Sequence, residues 1–103
     1  MSAQISVDRD QMAVFCQRWR IVNLAFFGSV LRDDFGPNSD VDVLVTFAQD
    51  AHWSLFDMVQ MQEELVKILG RDVDLVSRRA IEASRNYIRR KAILSSAEVV
   101  YGA

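Results

Sequence analysis

Cysteine is almost missing from this chain, with Cys16 its single copy. Neither a disulfide framework nor a cysteine zinc site can be assembled from one thiol, so Cys16 reads as core. Histidine is equally scarce. His52 stands alone in a connector, without the clustered ligands of a metal site, and reads as a surface residue. The sole proline, Pro37, belongs to Gly36-Pro37-Asn38, a short stretch of turn residues between two apolar runs. Positive charge is not in surplus: 12 Lys and Arg against 14 Asp and Glu leave a formal net charge of -2. That balance argues against bulk nucleic acid as the main partner, because neutralising phosphates takes an excess of cations. No apolar stretch approaches the length of a membrane span, and the N-terminus lacks the charged and apolar regions of a signal peptide. A cytoplasmic location is the expectation.

What is present is an ordinary globular balance, 50% hydrophobic and 25% charged over 103 residues. That length suits one domain, residues 1–103, with one modest core. Most of the information lies between Phe26 and Val45. Ile21, Val22, Leu24, Ala25, Phe26 and Phe27 form a short apolar run that reads as a buried strand, and Gly28 ends it. A glycine there allows a sharp turn and a close ligand. Ser29 can cap a helical turn over Val30 to Asp34, whose first amides would face whatever lies beyond the strand end, a place suited to phosphate.

A second apolar run opens with Asp40 and Asp42. Residues two apart on a strand share a face, with about 6 to 7 Å between their Cα atoms, so these carboxylates would repel if left bare. A divalent cation resolves the conflict, and magnesium prefers a few carboxylate oxygens plus substrate phosphates to a full protein cage. Two such ions lie about 3.5 to 4 Å apart in two-metal transfer, a gap one carboxylate can bridge. Asp42, deeper in the strand, is the bridging candidate. Val41, Val43 and Val45 should point the other way, with Leu44 on the aspartate face farther along.

Gly28-Ser29, then Arg32, then Ser39-Asp40-Val41-Asp42, then Val45 resembles the signature of the DNA polymerase beta-like nucleotidyltransferase superfamily. The spacing is most similar to that of its smallest members, the minimal nucleotidyltransferases, which resemble antitoxins encoded beside HEPN-domain toxins. The likeness runs from Ile21 to Tyr101. Asp33 departs from it, standing where the family often has glycine. The resemblance implies magnesium, two ions, held by Asp40, Asp42 and a third carboxylate, with ATP as nucleotide donor. Gly28, Ser29, Arg32 and Ser39 are the candidates for holding the nucleotide, Ser39 also steadying the turn before Asp40.

The rest of the chain supplies scaffold. Asp8 can cap a helix carrying Met12, Phe15, Cys16 and Trp19 at three- and four-residue spacing. Ser54 can cap a longer one with a stripe of Met58, Met61, Leu65, Ile68 and Leu69, ended by Gly70. Arg71 to Val76 reads as a third strand. On it Asp74 can stand beside the first pair, completing a triad, and the resemblance makes Asp74 the third metal ligand and general base. Asp72 shares that face but sits nearer the turn. From Ala80 to Leu94 the spacing predicts one helix with a thin apolar face of Ile81, Ile88 and Ala92. Arg78, Arg79, Arg85, Arg89, Arg90 and Lys91 crowd the remainder. Glu98 to Tyr101 is an apolar tail able to pair at a sheet edge.

Alternating strands and helices predict an α/β (α+β) nucleotidyltransferase-type sandwich, a mixed sheet packed with helices, with Gly28-Ser29 and the aspartates at one end. The reaction the resemblance implies is transfer of AMP from magnesium-bound ATP to a hydroxyl, with release of pyrophosphate. The larger relatives carry extra helical domains that grip an acceptor. Here a partner is expected to present it, and the resemblance implies a HEPN toxin whose tyrosine hydroxyl receives AMP, silencing its RNase activity. The alternatives are a non-catalytic antitoxin that covers the toxin, or a nucleotidyltransferase acting on another acceptor.

Overall fold

A computed structural model describes residues 7–28 and 40–102. The elements, in chain order, are α1 (Arg9–Arg18), β1 (Ile21–Phe27), β2 (Val41–Phe47), α2 (Leu55–Leu69), β3 (Val73–Ser77), α3 (Arg78–Glu82), α4 (Tyr87–Ser96) and β4 (Glu98–Gly102). The strands form one mixed sheet in the order β3-β2-β1-β4. β1 pairs antiparallel with β2 and with β4, while β2 pairs parallel with β3. A parallel pair cannot be joined by a tight turn, and α2 is the crossover that makes it possible. The expected sandwich is the observed one.

α1 starts where the Asp8 carboxylate accepts hydrogen bonds from the Asp10 and Gln11 amides, and its stripe of Met12, Phe15 and Cys16 is buried. α2 starts at a capping box, in which Ser54 and Asp57 satisfy each other's backbone amides. It stops at Gly70, whose φ of 70° suits a residue without a Cβ. Met61 and Leu65 of α2 meet Met12, Phe15 and Cys16 of α1 over Leu24, Phe26, Val41, Val43, Val45 and Val73, forming the main core on one face of the sheet. On the other face a second cluster gathers Phe27, Leu44, Ile81 and Ile93, with Val76, Leu94 and Ala97 packed against it. The valines of β2 therefore turn to the main core and Leu44 turns to the opposite face, as the strand alternation predicts.

Cys16 lies wholly within the main core, and burial pushes its thiol pKa up to about 12. Thiolate is the reactive form, so the native protein should resist a thiol reagent at about pH 8 and react fully once denatured. Fast native labelling, followed by mass spectrometry, would contradict this packing.

Two expectations change. β3 runs from Val73 to Ser77, so Arg71 and Asp72 lie before it. The single helix expected from Ala80 to Leu94 is two, α3 and α4. Between them the Asn86 amide donates to the Ser84 hydroxyl at 3.2 Å, and the Asn86 side chain accepts from the Arg89 amide at 3.0 Å. Short polar side chains that bond nearby backbone favour helix starts over helix interiors, which explains the break. With the phase reset at Asn86, Ile88 is 80% exposed and Ile93, not Ile88, supplies the buried apolar contact of α4. Ile81 is buried as expected, and β4 fills the sheet edge foreseen for the tail. Among the described residues, no helix is long and apolar enough to cross a membrane.

Candidate active site

The register of the sheet gathers the acidic residues. In the parallel β2–β3 pair Asp42 and Asp74 are direct partners. Neighbouring strands are about 4.8 Å apart and partnered side chains share a face, so the two carboxylates stand side by side. Their neighbours Val41, Val43 and Val73 are buried in the main core and hold both strands in this phase. The Val41 amide donates to the Asp72 carbonyl at 2.9 Å, which fastens the start of β2 to the chain leading into β3. Asp72 thus contributes backbone at the mouth of the pair. Asp40 lies one residue before β2, exposed, two positions from Asp42. Asp74 is exposed and Asp42 half-buried.

On the other side of Asp42, β1 ends. Phe27 is its antiparallel partner, and Gly28 follows with φ of 75°. A Cβ built on Gly28 would collide with Asp42 Oδ2 and lie 3.1 Å from Asp42 Cγ. The space that a glycine leaves at this strand end is therefore used by the Asp42 carboxylate. Ser29, Arg32 and Ser39 fall outside the described residues.

Among the described residues no group of three or more His, Cys, Asp or Glu side chains is spaced to enclose a metal ion by itself. The Asp42–Asp74 pair beside Gly28 nevertheless has the chemistry magnesium uses, two carboxylates on partnered positions of neighbouring strands, with water and substrate phosphate to complete the coordination. His52 is exposed in the connector after β2 and is not near the aspartates' end of that strand.

A family model described as a nucleotidyltransferase domain matches residues 9–98. The chain belongs to the nucleotidyltransferase-domain family. As a member it has the activity class of a nucleotidyltransferase, and the paired aspartates fall within the matched region. The protein adenylyltransferase MntA of Thermococcus cleftensis is 33% identical over 67 residues, 65% of this chain and 66% of its own length. Two solved structures share the fold of this nucleotidyltransferase. One, a toxin–antitoxin with AMP-PNP, superposes with a TM-score of 0.71 at 19% identity, covering 94% of this chain and 75% of that one. The other is a tri-AMPylated Shewanella oneidensis HEPN toxin in complex with an MNT antitoxin, with a TM-score of 0.62 at 18% identity, covering 92% and 70%. The sheet with its helices is thus the fold seen in such antitoxin complexes, as the sequence signature implied.

Proposed function

We propose that this nucleotidyltransferase is an antitoxin that transfers AMP from ATP, with magnesium, to a tyrosine hydroxyl of a partner HEPN toxin and thereby silences its RNase activity. The observation that carries the proposal is the in-register Asp42–Asp74 pair against Gly28 in a nucleotidyltransferase domain. The name of the Thermococcus relative and the AMPylated toxin of the Shewanella complex support the acceptor and the partner. The AMP-PNP complex supports ATP as donor.

In this reading Asp40, Asp42 and Asp74 would hold magnesium, with two ions expected. When bound, the ions neutralise phosphate charge and lower the pKa of the attacking hydroxyl. The tyrosine oxygen attacks the α-phosphorus of ATP, the bond from that phosphorus to the bridging oxygen breaks, and pyrophosphate leaves with the bond pair. Asp74, exposed at the strand end, takes the tyrosine proton. Gly28 and Ser29 hold the β- and γ-phosphates, Arg32 assists them, and Ser39 keeps Asp40 in place. Such chemistry depends on positioning and charge, both of which a rigid pair of adjacent strands provides. The product is a tyrosine bearing a phosphodiester, whose added charge and bulk obstruct RNA binding by the toxin.

The test is incubation of the protein with the product of an adjacent gene, should that gene encode a small all-helical chain of HEPN type, together with labelled ATP and magnesium, followed by mass analysis of that product. The expected result is a gain of one or more AMP units on tyrosine. Protection of cells by the Asp40→Ala, Asp42→Ala double variant, with no adduct formed, would establish inhibition by covering instead.

A further inference from the structure

The end of the sheet opposite the carboxylates holds a cavity of about 410 Å³, between the C-terminal ends of β2 and β3, the connector leading to α2, and α3. Phe47 and Thr46 line it from β2, His52 and Trp53 from the connector, and Ser77 and Arg79 from the start of α3. Asp42 and Phe47 are five residues apart along β2, roughly 16 Å at the rise of an extended strand. The cavity is therefore separate from the aspartate site.

Its charge is unbalanced. Arg78 and Glu82, which also border it, neutralise each other through a 3.1 Å ion pair. Among the described residues the Arg79 guanidinium has no hydrogen-bond or ion-pair partner, and neither does the His52 imidazole. The apolar wall is aromatic and fixed. The Trp53 indole N–H donates to the Trp19 carbonyl at 2.9 Å, and the two indole rings meet edge to face with centroids 5.2 Å apart. Trp53 therefore reaches the cavity with its polar atom already satisfied, as ring surface only.

A planar aromatic wall next to one unpaired guanidinium suits a ligand with a flat ring at one end and a small anion at the other. The volume lies within the usual range for small-molecule pockets, about 300 to 1,000 Å³. One unpaired guanidinium, with an imidazole as a hydrogen-bonding neighbour, matches a monophosphate better than the four charges of a free triphosphate. We propose that this cavity binds a nucleoside monophosphate, its base against Trp53 and its phosphate on Arg79. The site is independent of the transfer reaction proposed above.

Equilibrium dialysis with labelled AMP, read alongside tryptophan fluorescence, tests it in the full chain carrying Asp42→Asn, so that the aspartate site is impaired throughout. AMP binding is expected to persist in that variant, to change tryptophan emission, and to weaken about tenfold or more when exposed Arg79 is also replaced by Ala. Three results would each overturn the proposal: loss of AMP binding with Asp42→Asn alone, indifference to Arg79→Ala, or inorganic phosphate binding as tightly as AMP. Circular dichroism of the Arg79→Ala variant checks that it is folded, and Arg79→Lys should restore part of the affinity.

Discussion

Asp42→Asn should reduce nucleotidyl transfer by at least about 10²–10³-fold while leaving the melting temperature close to that of the parent. The size follows from what the carboxylate is placed to do. Removing one preorganised electrostatic group from a transition state costs on this order, and Asp42 stands at the centre of the site, with Asp74 on one side and Gly28 on the other. Stability should change little because the amide matches the carboxylate in shape and the side chain is only half-buried. Transfer assays across magnesium concentrations, paired with thermal melts, check both halves. Near-parental turnover in a folded Asp42→Asn protein would remove this residue from the mechanism and with it the proposed metal-binding centre.

Gly28→Ala should be damaging in both respects. The backbone at Gly28 has φ of 75°, a conformation costing an L-residue about 1–2 kcal/mol, and the added methyl would collide with Asp42 Oδ2. One relief is for the Asp42 side chain to rotate away, which removes the carboxylate from Asp74. The other is for the strand end to shift, which weakens the Phe27–Asp42 pairing. Either way activity falls with stability, unlike the Asp42→Asn case. A melting temperature several degrees lower, with transfer reduced at temperatures where the variant is folded, is the expected pattern. An Ala variant with parental stability and rate would show that Gly28 is not a cradle for Asp42. Comparing the two variants separates loss of the charge from loss of its position.

Much of this architecture was legible because local chemistry and tertiary packing agree. The stripe of Met12, Phe15 and Cys16 behind Asp8, and that of Met61 and Leu65 behind Ser54, each announce a helix, and both stripes meet in one core. Val41, Val43 and Val45 alternate with Asp42 and Leu44, and the period of two carries directly into which face each occupies. The stretch after Ser77 was less legible. Six cations in and beside a weakly apolar segment leave little periodic signal, so the polar residues at Ser84 and Asn86 decided where one helix ended and the next began. Ser29, Arg32 and Ser39 lie outside the described residues, and their proposed contacts with the nucleotide rest on the motif.

By itself the sequence determined the strands, the helices α1 and α2 and the inward faces of α1, β2 and α2, because each depends only on spacing along a single segment. Tertiary structure alone decided three things. The parallel register sets Asp74 opposite Asp42 instead of one residue aside, a choice made by the packing of Val41, Val43 and Val73 under both strands. The end of β1 brings Gly28 against the Asp42 carboxylate. The far end of the sheet joins the adjacent His52 and Trp53 to Arg79, far from them along the chain, around one cavity. Contacts between segments depend on how the whole core closes, and no window of sequence contains that information.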